Sequence, residues 1–145
     1  MQLTRHTDYS LRILMYMASN PDQLVTVAEL ASFYTISRNH LVKVVQGLVK
    51  HGFVSTIQGQ QGGMQLAKKS DKISIGKVIR CMENHFDIVE CFDPENDACI
   101  LTGVCKLKNI LSHATENYLK ELDKVSLADV CKPRLRQHII KFQTV

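Results

Sequence analysis

Residues 26–67 restrict the fold more than any other segment, because the apolar period changes partway along them. Val27, Leu30, Ala31 and Tyr34 recur at helical spacing, with Thr26 placed as N-cap and Glu29 three residues on to close a capping box. Thr35 and Ile36 leave room only for a short turn. Ser37 then caps a further helix running to about His51, with Leu41, Val44, Val45 and Leu48 on its inner side. Gly52 stops that helix, and the pattern turns to the alternation of strands in residues 53–57 and 64–67. Two short strands around a glycine-containing loop read as a β-hairpin. Helix, turn, helix and hairpin in that order predict a winged helix-turn-helix, mainly α with a small β-hairpin.

The flanking sequence is helical. Residues 8–18 carry Leu11, Leu14, Met15 and Ala18 at helical spacing, and Pro21-Asp22 ends that run. Residues 74–84 place Ile75, Val78, Ile79 and Met82 inward, and Cys81 is read there as a buried structural thiol. A long helix is expected over residues 105–124, with Leu107, Ile110, Leu111, Ala114, Tyr118, Leu119 and Leu122 tracing a broad apolar stripe. Another turn is expected over residues 127–131, holding a second structural thiol, Cys131, before Pro133. A chain of 145 residues can bury one compact core with at most a small second element. The expected division is a DNA-binding winged helix in residues 1–70, and a loop with dimerisation helices in residues 71–145. The stripe through Leu107, Leu111, Ala114, Tyr118 and Leu122 is wider than one small domain needs, which predicts a helix-to-helix homodimer.

No apolar run reaches the length of a membrane span. The N-terminal residues lack the apolar stretch and cleavage site of a signal peptide. A cytoplasmic protein with reduced thiols and no membrane partner is therefore expected.

The net charge is +4, and all of the excess falls in residues 1–70, residues 71–145 being neutral overall. That asymmetry suits a polyanionic partner for the N-terminal half. The early residues of the second helix of a helix-turn-helix meet base edges in the major groove. Here they are Ser37, Arg38, Asn39 and His40, with Lys43 a turn on, all opposite the apolar face. Arg can fork to guanine and Asn to adenine, while Ser and Lys hold phosphates. Gln58, Gln60, Gln61 and Gly62 would form the tip of the wing.

Five cysteines are present: Cys81, Cys91, Cys99, Cys105 and Cys131. An odd count in a reducing compartment argues for metal binding, catalysis or burial rather than a disulfide framework. Seven residues separate Cys91 from Cys99 and five separate Cys99 from Cys105. Cys91 and Cys99 belong to an aperiodic stretch, residues 86–104, that holds Asp87, Glu90, Asp93, Glu95 and Asp97 and no basic residue, and Cys105 follows it at the start of the long helix. Thiolates are soft ligands that suit an iron–sulfur cluster or zinc, and no tight pair of the kind common in zinc modules is present. A thiol enzyme with His85 or His113 as base is a further reading. The acids around Cys91 and Cys99 oppose thiolate formation and weigh against it.

Taken together, Thr7-Asp8-Tyr9-Ser10-Leu11-Arg12, residues 37–43, Gly62-Gly63, residues 101–107 and Leu127-Ala128-Asp129 resemble a family of winged-helix repressors that includes the iron–sulfur assembly regulator IscR and sensors of nitric oxide. The resemblance spans nearly the whole chain. It implies a sequence-specific repressor that binds a double-stranded, inverted-repeat operator as a homodimer built on the long helix. It also implies an iron–sulfur cluster (4Fe–4S or 2Fe–2S) on Cys91, Cys99 and Cys105, with DNA release when nitric oxide attacks it. In assembly regulators of the IscR type, which answer to iron–sulfur or redox status, a histidine shortly after the third cysteine is the fourth ligand. Lys108 stands there in this sequence. In the nitric-oxide sensors an aspartate of the first helix, from the partner subunit, can serve, and Asp8 matches it, with His85 as a substitute. The family's wing is commonly basic, whereas Gln58, Gln60 and Gln61 are neutral, so their contacts to DNA would be hydrogen bonds.

Overall fold

A computed structural model describes residues 2–143, which form seven α-helices and one two-stranded antiparallel sheet. α1 (Arg5–Ser19) begins where the Thr4 hydroxyl accepts a hydrogen bond from the Thr7 N–H at 3.3 Å. It starts ahead of the expected Asp8 because Thr4 is its cap, and it is enclosed on more than its apolar stripe. Thr7, Ser10 and Ser19 are buried along with Ile13, Leu14, Tyr16 and Met17. The Ser10 and Ser19 hydroxyls donate to the carbonyls of His6 and Met15 at 2.7 and 2.9 Å, so their burial leaves no unpaired polar atom.

α2 (Val27–Tyr34) has the expected capping box between Thr26 and Glu29. It closes on Thr35, whose φ of 53° and ψ of 44° lie in the left-handed region. That one residue, with the Ile36 N–H donating to the Ala31 carbonyl at 3.1 Å, reverses the chain into α3 (Arg38–Lys50). Leu41, Val44, Val45 and Leu48 of α3 are all buried. β1 (Val54–Ile57) then pairs antiparallel with β2 (Gly63–Leu66), Val54 lying opposite Leu66 and Ile57 opposite Gly63. Val25 adds a bridge to Met64 through two backbone hydrogen bonds of 2.9 and 2.8 Å. This stitches the chain ahead of α2 to the hairpin.

α4 (Ile75–Met82) packs along α5 (Lys106–Asp123), and α6 (Leu127–Val130) follows. The Ile75 N–H donates to the Val125 carbonyl and the Leu127 N–H to the Ile73 carbonyl, each at 2.8 Å, fastening the start of α4 to the α5–α6 corner. Leu14, Leu30, Leu41, Leu48, Val78 and Leu127 are fully buried in one core that draws on both sides of residue 70.

The structure adds a helix that the sequence pattern does not signal, α7 (Pro133–Gln143). Pro133 reads as a helix stop, yet it occupies the first helical position, where the missing N–H has no partner to lose. α7 folds back on α1. Arg136 Nε donates to the Ser19 carbonyl at 3.1 Å, and the Gln143 amide donates to the Tyr16 hydroxyl at 2.5 Å. Tyr16 in turn donates to Glu29 at 2.6 Å, and burial pushes its pKa up to about 12. α1, α2 and α7 are thus held by one phenol.

Candidate functional site

The polar face of α3 is set by its buried face. The Ser37 hydroxyl accepts from the His40 N–H at 3.3 Å and fixes the first turn. Arg38, Asn39, His40 and Lys43 are exposed, as are two residues that the apolar period does not single out, Val42 and Gln46. Val42 is 41% exposed despite its apolar side chain. At 100° per residue Arg38, Asn39, Val42, Lys43 and Gln46 share one stripe, away from Leu41, Val44, Val45 and Leu48. The steps of three and four from Arg38 and Asn39 were the available signal. They are masked because Val is ordinarily a core residue and Gln carries no charge. A Gln can pair bidentately with adenine, and an apolar side chain can meet the thymine methyl.

In the wing, Gln58, Gln60 and Gln61 are exposed. Gly59 has a φ of +124°, and a Cβ at Gly62 would run into the carbonyl oxygens of Ile57 and Gly59. Gly62 is therefore required by the turn itself.

The three loop cysteines occupy different settings. Cys91 lies in a 3-10 turn (Glu90–Phe92), Cys99 is exposed, and Cys105 is the half-buried N-cap residue of α5. Among the described residues no three His, Cys, Asp or Glu side chains come together as a metal-holding group. Asp8 sits in the first turn of α1, its carboxylate paired with Arg12 at 2.8 Å and 43% exposed. His85 is exposed and lies 3.3 Å from Asp87. Cys81 and Cys131 are half-buried against the core, and desolvation pushes the Cys131 thiol pKa up. As a donor set, Cys91, Cys99 and Cys105 suit a thiophilic centre, being free thiols of which none is fully buried.

The apolar stripe of α5 divides. Tyr118 and Leu122 pack against the protein's own core, and Leu111 is half-buried. Leu107 and Ile110 are 59% and 63% exposed, Ala114 is exposed beside them, and Leu101 and Val104 extend the patch into the loop. No helix among the described residues is long and apolar enough to cross a membrane.

Residues 3–133 match Rrf2, described as an iron-dependent transcriptional regulator. A Bacillus licheniformis protein named HTH-type transcriptional regulator NsrR is 47% identical over 131 residues, covering 90% of this chain and 92% of the relative. The protein of that name from Bacillus subtilis strain 168 is 44% identical over 133 residues, 91% of each chain. Among solved structures, the global cysteine regulator CymR of B. subtilis superposes with a TM-score of 0.73 at 23% identity, covering 90% of this chain and 96% of that one. T. potens IscR gives 0.72 at 22% identity, with 91% and 87% covered. At such identities the two structures speak to the fold, which they share with this chain.

Proposed function

The chain belongs to the Rrf2 family of transcriptional regulators, and from that membership we propose a homodimeric repressor that reads an inverted-repeat DNA operator and answers to nitric oxide through an iron–sulfur cluster. The observation that carries the DNA reading is the exposed stripe of α3. Arg38, Asn39 and Gln46 are groups that recognise base edges, and they stand on a helix whose other side is locked into the core. Ser37, His40 and Lys43 supply donors for the flanking phosphates, and Gln58, Gln60 and Gln61 of the wing donate without charge. Leu107, Ile110, Leu111 and Ala114 supply the dimer contact. The exposure of Leu107, Ile110 and Ala114 on a single chain supports a second copy as the cover.

Cys91, Cys99 and Cys105 would hold the cluster, with Asp8 of the partner subunit as fourth ligand. The cluster would supply iron that reacts with nitric oxide. Gathering the three thiolates would order the acidic loop, and engaging Asp8 would tie that loop to α1, which packs on α3. Releasing it would free Asp87, Glu90, Asp93 and Glu95 to repel DNA phosphates. Moving such a two-state switch from 1:99 to 99:1 takes about 5.5 kcal/mol, a scale within reach of metal–thiolate binding.

The test is a titration, at fixed salt, of an operator selected from a random duplex pool, using cluster-loaded, nitric-oxide-treated and metal-free dimer. Tight binding by the loaded form alone is expected. Equal affinities in all three states would falsify the switch.

A thiol-enzyme reading draws no support from the site. Of its two candidate bases, His85 faces Asp87, and His113 lies 3.4 Å from Asn117.

A further inference from the structure

Asp97 differs from the other acids of the cysteine loop. Its Oδ1 accepts hydrogen bonds from the backbone N–H of Cys99 at 3.1 Å and from the Thr102 hydroxyl at 2.9 Å. Its Oδ2 faces the Lys108 ammonium at 3.7 Å. The Asp97 side chain is only 13% exposed, against 32% for Asp87. Asp93 also accepts two hydrogen bonds, from the Glu95 N–H at 2.9 Å and the Asn96 amide at 2.6 Å, but both lie within its own turn. Asp97 reaches out of its turn to a helix.

The segment it grips is a chain of tight turns. The Thr102 N–H donates to the Cys99 carbonyl at 3.1 Å, the Val104 N–H donates to the Leu101 carbonyl at 3.2 Å, and Gly103 carries a φ of +94°. Lys108 lies three residues past Cys105 in the first turn of α5. One carboxylate therefore joins the backbone of Cys99, the hydroxyl at the middle of the Cys99–Cys105 span, and the helix that Cys105 starts. Cys91 has no such tether to α5 among the described residues.

We propose that Asp97 is a positioning residue that orders the Cys99–Cys105 span against the start of α5 in the metal-free protein, so that this part of the loop is already set when iron arrives. This rests on the reading of Cys91, Cys99 and Cys105 as cluster ligands. Ordering a loop before its ligand binds removes an entropy cost from the binding step. Groups that orient metal ligands without touching the metal are worth about 10–100-fold in metal affinity. Lys108 then serves by holding Asp97 rather than by donating to iron.

The test uses the full-length dimer, stripped of metal and reconstituted anaerobically with ferrous iron and sulfide. Uptake is followed by charge-transfer absorbance and loss by transfer to a chelator. Amide hydrogen exchange at Cys99 is measured in the metal-free protein. Asp97→Ala and Thr102→Val are expected to load slowly, to lose iron about tenfold faster or more, and to speed exchange at Cys99. Thr102→Ser keeps the hydroxyl and restores wild-type behaviour. Thermal unfolding stays unchanged, since Asp97 lies outside the core. Asp97→Ala and Thr102→Val proteins that load, retain iron and protect the Cys99 amide like wild type overturn the proposal. A wild-type protein that takes up no cluster overturns the ligand reading beneath it, and the exchange data separate the two failures.

Discussion

Gly76 and Asp123 touch backbone to backbone: a Cβ on Gly76 would sit 2.5 Å from the Asp123 amide nitrogen. This close approach lets the N-terminus of α4 cross the end of α5, and Arg80, one turn on, clamps the crossing with Nη2 3.0 Å from Asp123 and 3.2 Å from Glu116. The backbone contact cannot yield as a flexible side chain would. Gly76→Ala should therefore destabilise the fold by about 1–3 kcal/mol, the usual cost of overpacking. Arg80→Met should cost less, about 1 kcal/mol, because its ion pairs are solvent-screened. Thermal or urea unfolding of the two variants checks the order. Equal losses would mean that the charges, not the close contact, hold the crossing.

The division of the α5 stripe sharpens the dimer prediction. Leu107 and Ile110 are exposed on one chain, whereas Leu119 is buried in it. Leu107→Glu should give a folded monomer with an unchanged helical spectrum, since the charge would remain in water. Leu119→Glu should unfold the subunit, because an unpaired charge would enter the core. Sedimentation of Leu107→Glu reads the result, and a stable dimer would place the interface elsewhere.

The winged helix was legible because each local signal agreed with the next. The Thr26–Glu29 box, the Ser37 cap and the alternating strands all appear where the pattern put them. α7 was hidden because Pro133 carries two opposite meanings, stop and first helical residue, and its partners Ser19 and Tyr16 are more than a hundred residues away in sequence. Val42 was missed for a related reason: an apolar residue on a helix is assigned to the core unless the neighbouring face is known to be filled. The role of Asp97 could not be read from spacing, since the five acids of the loop look alike until their partners are seen.

The cysteines should separate into two groups. Cys91→Ala, Cys99→Ala and Cys105→Ala should each abolish the visible charge-transfer bands of anaerobically purified protein. Cys81→Ala and Cys131→Ala should keep them, at some cost in stability from the packing they lose. Asp8→Ala removes the carboxylate that Arg12 now holds, and should shift the spectrum and the response to nitric oxide without unfolding α1. Full loading with an unchanged spectrum in Asp8→Ala would remove Asp8 from the ligand set and turn attention to His85.

The α3 stripe predicts different kinds of loss at different positions. Arg38→Ala should cost about 1–3 kcal/mol on the selected operator and relax the preference at one base pair in each half-site. Two-fold symmetry should space those half-sites about 10 base pairs apart, or a multiple of that. Lys43→Ala should weaken every duplex alike and lower the salt slope by about 1. Val42 has no charge to give a phosphate, so in a groove-reading α3 its contact with DNA would be to an apolar group such as the thymine methyl. Replacing the relevant thymine by deoxyuridine should then weaken wild-type binding more than it weakens binding by Val42→Ala. Competition assays at two salt concentrations distinguish these patterns. If Arg38→Ala and Lys43→Ala both lose affinity uniformly across sequences, α3 lies along the backbone rather than in the groove, and base reading must come from elsewhere on the protein.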